Sequence, residues 1–182
     1  MRLDDVVSHF GEQVEVTWKS FLLRTEPKER SRAEFASYSQ GWTRMAELEP
    51  RANFSPWTDE TTSEPPSSSL PAQVAAKIIQ VNWPERFHDL HWALLTAYFT
   101  DNRTISDWAV LADIVEGLGV DRREFESILA EQRQTIASQV IDDHDDARGG
   151  QLQEGGGRGE VVDAVHPRGQ GGAGGAHPVL RP

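Results

Sequence analysis

Two stretches of the sequence gather side chains able to hold a metal or move a proton. In the first, His88 and His91 stand three residues apart beside Trp92, a spacing that places two imidazoles near one another on a helix. Only Glu85 and Asp89 accompany them as further donors, so the bland alternative is a structural pair with His91 in the core and His88 in solvent. In the second, Asp142, Asp143, His144, Asp145 and Asp146 form an acidic run around one imidazole. An EF-hand needs alternating ligands, a central Gly and a distant Glu, and the run lacks that order. It reads as a solvated helix end, a poor one because negative charge there opposes the macrodipole. This is a sign that a neighbour is missing or lies nearby in space. Ser67 to Ser69 lack the G-x-S-x-G setting of a nucleophile, and the C-terminal glycines lack the strand and Lys of a phosphate loop. No metal or cofactor is implied.

The elements that must position these residues follow from apolar spacing. Phe87, Leu90, His91, Leu94, Leu95, Tyr98 and Phe99 recur at offsets of three and four, giving one apolar helix face. Each large side chain buried there contributes roughly 1.5–3 kcal/mol as an upper bound. Trp108, Leu111, Ala112, Val115 and Leu118 repeat the pattern, with Ser106 or Asp107 to cap that helix and Gly117 or Gly119 to end it. Upstream, Leu3, Val6, Val7 and Phe10 read as the end of a helix stopped by Gly11. Val14, Val16 and Trp18 alternate with polar residues as a strand running into Phe21, Leu22 and Leu23. Ser31 to Glu49 is expected to be helical, with Phe35, Tyr38, Trp42, Met45 and Leu48 on one face and a break at Gly41. Asn53 to Ser69, with Pro56, Pro65 and Pro66, is expected to be irregular, pinned by Phe54 and Trp57. Ser69 to Pro71 opens a helix carrying Val74, Ile78 and Val81, which Pro84 ends. Asp121 and Glu124 offer a capping box for a last helix to about Asp143.

From Arg148 the chain has no Phe, Trp, Tyr, Ile or Lys but holds 11 of the 15 glycines, a composition expected to be disordered. The folding part therefore lies within the first 146 residues or so, enough for a hydrophobic core. Residues 1–147 carry 14 basic and 26 acidic side chains, so phosphate-bearing partners are repelled, and neither nucleic acid nor an anionic membrane is expected as a general partner. There is no cysteine, hence no disulfide and no thiolate nucleophile. With no long apolar run, no membrane span or signal peptide is read, and the cytoplasm is the expected location.

Taken in order, EVTWKSFLL, a polar loop, LPAQVAAKI and LHWALLTAYFTDNRTISDWAVLADIVEGLGVDRREF resemble the DsbA-like thioredoxin-fold oxidoreductases of the FrnE type, over roughly residues 1–145. The fold class so implied is α/β and helix-rich: part of a thioredoxin-like fold with a large helical insertion and a disordered C-terminal tail. Residues 1–30 would be the remnant of the thioredoxin-like half, 31–146 the insertion domain, and 147–182 the Gly/Arg/Pro-rich tail. The implied activity is thiol–disulfide exchange on protein or small thiols, with no oligomeric state implied. The family's Cys-x-x-Cys pair would precede Met1, and its Val-Pro segment would follow the last helix, where this chain turns Gly-rich. Residues 1–182 are therefore expected to be inactive in that reaction. A late start with a frameshift near Ala147, or a natural tail, would each account for the pattern. By the same resemblance His91, Trp92 and Phe99 line a substrate groove. Kappa-class glutathione transferases and chromene carboxylate isomerases share the architecture, leaving a glutathione-dependent relative as one alternative and a non-catalytic helical binding module as another.

Overall fold

The computed structural model describes residues 3–153, Asp59 excepted, and residues 165–167. The chain divides into two compact units, Met1–Lys19 with Gly156–Pro182, and Ser20–Gly155. In the first, helix α1 (Leu3–Phe10) ends where Gly11 takes φ +51°, a left-handed conformation that suits glycine. A 3₁₀ turn then leads into β1 (Val14–Val16), which pairs antiparallel with β2 (Val165–Pro167), Glu15 opposite His166.

The second unit is helical. Helix α2 (Arg32–Ser39) starts at a capping box: Ser31 Oγ accepts the Glu34 N–H while the Glu34 carboxylate accepts the Ser31 N–H. The Ser31 N–H foremost, and the Ser31 hydroxyl donating to the same carboxylate, hold the Glu34 carboxyl below its ordinary range. Helix α3 (Gly41–Leu48) follows through Gln40, itself in right-handed helical conformation. A 3₁₀ turn at Pro50–Ala52 closes this arm. Helix α4 (Leu70–Asn82) opens with Pro71 in its first turn and stops at Trp83, since Pro84 begins a 3₁₀ turn. Helix α5 (Phe87–Phe99) leads to α6 (Trp108–Gly117), whose N-cap is Asp107, with Oδ1 accepting the Ala109 N–H at 2.8 Å. Ser106 instead accepts the Ser67 N–H. Gly119, at φ +81°, reverses the chain into α7 (Arg122–Gln153), where Asp121 Oδ1 accepts the Glu124 N–H.

Two apolar clusters result. The larger joins Leu22, α4, α5, α6 and α7 around Ala75, Ile78, Ile79, Leu90, Leu111, Val115, Phe125 and Val140, all fully buried. The smaller is aromatic: Phe35, Trp42 and Trp57 are buried, with Phe54, Tyr98 and Phe99 packed on them. Helix α5 serves both, giving Leu90 and Ala97 to the first and Tyr98 and Phe99 to the second. The irregular stretch before α4 is pinned as the aromatics suggest: Trp57 is 1% exposed, the Ser55 N–H donates to Phe99 O, and Thr100 Oγ1 donates to Asn53 O.

Several expectations change. The strand reading extends β1 too far: pairing stops at Val16, and the Ser20 and Leu22 N–H groups donate to side chains of α7 instead of a strand. The last helix does not end near Asp143 but runs ten residues on, to Gln153. Val81 is 74% exposed, and Tyr38, Met45 and Leu48 are exposed too, because one row of each helix already fills the space available. The rest of the expected disordered tail lies outside the described residues, apart from β2. No helix among the described residues is long and apolar enough to cross a membrane.

Candidate functional site

The proposed groove residues sit along α5 in different surroundings. His91 is half-buried, and Trp92 is 48% exposed. The Trp92 indole N–H donates to His88 Nε2 at 3.2 Å, so the exposed imidazole is engaged by the tryptophan one turn on. Phe99 lies about 10 Å further along the helix axis than Trp92. Its ring meets Trp42 at 4.9 Å and Phe54 at 5.0 Å, both edge-on, the geometry aromatic quadrupoles favour. Phe99 thus belongs to the aromatic cluster, while Trp92 and His88 make a separate pair nearer the start of α5.

The cluster has a polar margin. Arg30 places its guanidinium 4.7 Å from the Tyr38 ring centre and 5.6 Å from that of Phe35, a cation–π arrangement at the rim. Tyr98 is half-buried, and desolvation pushes its phenol up to about 12, with the Tyr38 phenol adding to the rise and Arg30 opposing it. Ser39 is fully buried and holds the loop in place, its hydroxyl donating to Ala36 O and accepting the Trp57 N–H.

The acidic run turns out to be a structural node, which the sequence reading of a solvated helix end misses. Asp143 Oδ2 accepts the Ser20 N–H at 2.9 Å and meets Lys77 Nζ at 2.5 Å, both side chains being only 16% exposed. His144 is 4% exposed; its Nδ1 accepts the Leu22 N–H at 3.3 Å, and its ring lies 4.9 Å from that of Phe21. The neighbour that the unfavourable charge implied is Lys77 on α4, together with a strip of backbone more than 120 residues upstream. A Lys at the right phase on α4 is the one signal available in advance, and it becomes legible only once α4 and α7 are known to pack together. Elsewhere, Arg122 ties α7 to α6 through Asp113 and Glu116 and reaches Glu126 on its own helix. Those hydrogen bonds, Asp113 first, hold its guanidinium above its ordinary range.

Chemically, these polar side chains position backbone, Asp143, His144 and Ser39 each accepting a main-chain N–H. Cysteine, and with it any thiolate, is absent from the whole sequence, and no group of three or more His, Cys, Asp or Glu side chains able to hold a metal occurs among the described residues. No curated protein matches the chain. A family model described as a DSBA-like thioredoxin domain matches residues 1–153, a span that ends with the last residue of α7. That match covers most of the chain, which therefore belongs to the DSBA-like thioredoxin domain family.

Proposed function

We propose that the chain represents the FrnE-type branch of this family, whose class of chemistry is thiol–disulfide exchange on protein or small thiols, and that residues 1–182 contribute the non-catalytic part of it. The observation that carries the reading is a family match over residues 1–153 in a sequence with no cysteine. Disulfide exchange proceeds by attack of a thiolate on a disulfide sulfur, and no other side chain replaces it in that step. Purified protein should reduce neither insulin nor a small aromatic disulfide above the buffer rate in the presence of dithiothreitol or glutathione; turnover proportional to protein concentration would refute the assignment.

What remains for the chain is recognition. On this reading residues 31–146 form the insertion domain, and α5 lines a groove for apolar substrate segments with His91, Trp92 and Phe99. The half-exposed Trp92 supports it, since an amphipathic indole is a common anchor at binding surfaces. An unfolded apolar peptide should shift the tryptophan emission, and Trp92→Phe should weaken that binding several-fold without changing thermal stability. Binding unchanged in the variant would argue that the peptide lies elsewhere.

A further inference from the structure

The Leu22 N–H is a donor, so the ring nitrogen facing it must carry a lone pair. His144 is therefore the neutral tautomer with its proton on Nε2, and that Nε2 is buried without a partner among the described residues. A second proton could go only to Nδ1, where it would turn the acceptor into a donor aimed at another donor.

We propose that His144 is an acid-released latch: the neutral ring clasps Leu22, and uptake of a second proton expels the ring and frees Phe21 and Leu22 from the helical unit. The charged surroundings favour an opening limited to this segment. From α4 only Lys77 faces the node, and it is paired with Asp143. Ser20, Phe21 and Leu22 bring no ionisable side chain. On α7 itself, Asp142 and Asp145 are exposed on either side of the histidine, with Asp146 and Arg148 beyond, so a charged ring that swings outward arrives among carboxylates. The Ser20 N–H keeps its bond to Asp143 throughout, because that carboxylate is the acceptor and already has a cationic partner. The segment thus pivots about Ser20. The 1% exposure of Leu22 and the 4.9 Å contact of Phe21 with the imidazole are what it gives up.

Nitrogen-15 spectroscopy of the full chain tests this, following the His144 ring nitrogens and the Leu22 amide protection factor from pH 8 to pH 5. The expected result is the Nε2–H tautomer at pH 8 and a fall in Leu22 protection of about tenfold, the size of one hydrogen bond, in step with ring protonation. The Leu111 amide, deep in the same cluster, should hold its protection. A proton on Nδ1 at pH 8, or Leu22 protection indifferent to the state of the ring, would overturn the latch. The wild-type titration decides alone. His144→Gln, which accepts through Oε1 and does not titrate, should keep Leu22 protected to pH 5, and the same acid loss in that variant would also count against it.

Discussion

At the scale of single residues, the aromatic cluster shows how environment separates two chemically identical groups. The chain has two tyrosines. Tyr38 is 57% exposed beneath Arg30, whereas Tyr98 is half-buried between Phe35, Trp42 and Phe99, where burial disfavours the phenolate and raises its ionisation to about 12. Absorbance at 295 nm during alkaline titration should therefore include a rise near pH 12 that Tyr98→Phe removes. The same rise persisting in the variant would show that the Tyr98 phenol is not its source. The linkage has a definite sign: a group whose ionisation is raised by folding stabilises the fold below its unfolded value and gives that up as pH climbs through the folded one. The Tyr98 contribution is thus complete below about pH 10 and disappears on approach to 12. None of this is legible in the run AYF, where Tyr98 reads only as one more apolar-face residue; the shift comes from Trp42 and Phe35, contributed by a separate pair of helices.

At the scale of elements, what the sequence made legible was whatever depends on local periodicity. Helices α4, α5 and α6 stand where apolar spacing, Pro71, Pro84 and Asp107 put them. What depends on distant partners was not legible: the burial of His144, the use of Lys77, and the shortness of β1, whose length is set by its pairing with β2. Turn chemistry falls on the legible side, and two glycines test it in opposite directions. A Cβ on either Gly41 or Gly119 would meet nothing within 4 Å, so packing is silent and the backbone alone decides. Gly119 sits at φ +81° between α6 and α7, where an L side chain is strained. Gly119→Ala should cost about 1–2 kcal/mol. Gly41 lies within α3 without such a φ, so Gly41→Ala should stabilise by about 0.4–1 kcal/mol by restricting the unfolded chain. Urea unfolding of the two variants would show midpoints moving apart; movement in the same direction would mean that side-chain contacts govern one of the turns.

At the scale of the molecule, the question is whether Ser20–Gly155, with its two apolar clusters, behaves as one cooperative body. Helix α5 argues that it does. Its first three turns bury Leu90 and pack Phe87 and Leu94 on the larger core, and its last turn presents Tyr98 and Phe99 to the aromatic one. A thirteen-residue helix has too few internal hydrogen bonds to stand alone in water, so loss of either core removes half of what holds it. The loop before α4 reinforces the coupling, since the Ser55 N–H to Phe99 O bond at 2.7 Å and the Thr104 hydroxyl to Glu64 O bond at 2.5 Å fasten it to the end of α5 and the connection after it. Leu111→Ala in the larger core should cost roughly 2–5 kcal/mol and Phe35→Ala in the smaller roughly 3–5 kcal/mol. In both variants near-ultraviolet dichroism, dominated by the aromatic cluster, and far-ultraviolet dichroism, dominated by the helices, should lose signal at one shared midpoint. Were the near-ultraviolet signal of Phe35→Ala to melt first while the helical signal held, the aromatic arm would be a separate folding unit and α5 a linker between two bodies. The same pair of curves then bears on recognition, because the groove proposed along α5 would keep its shape only while both cores hold the helix.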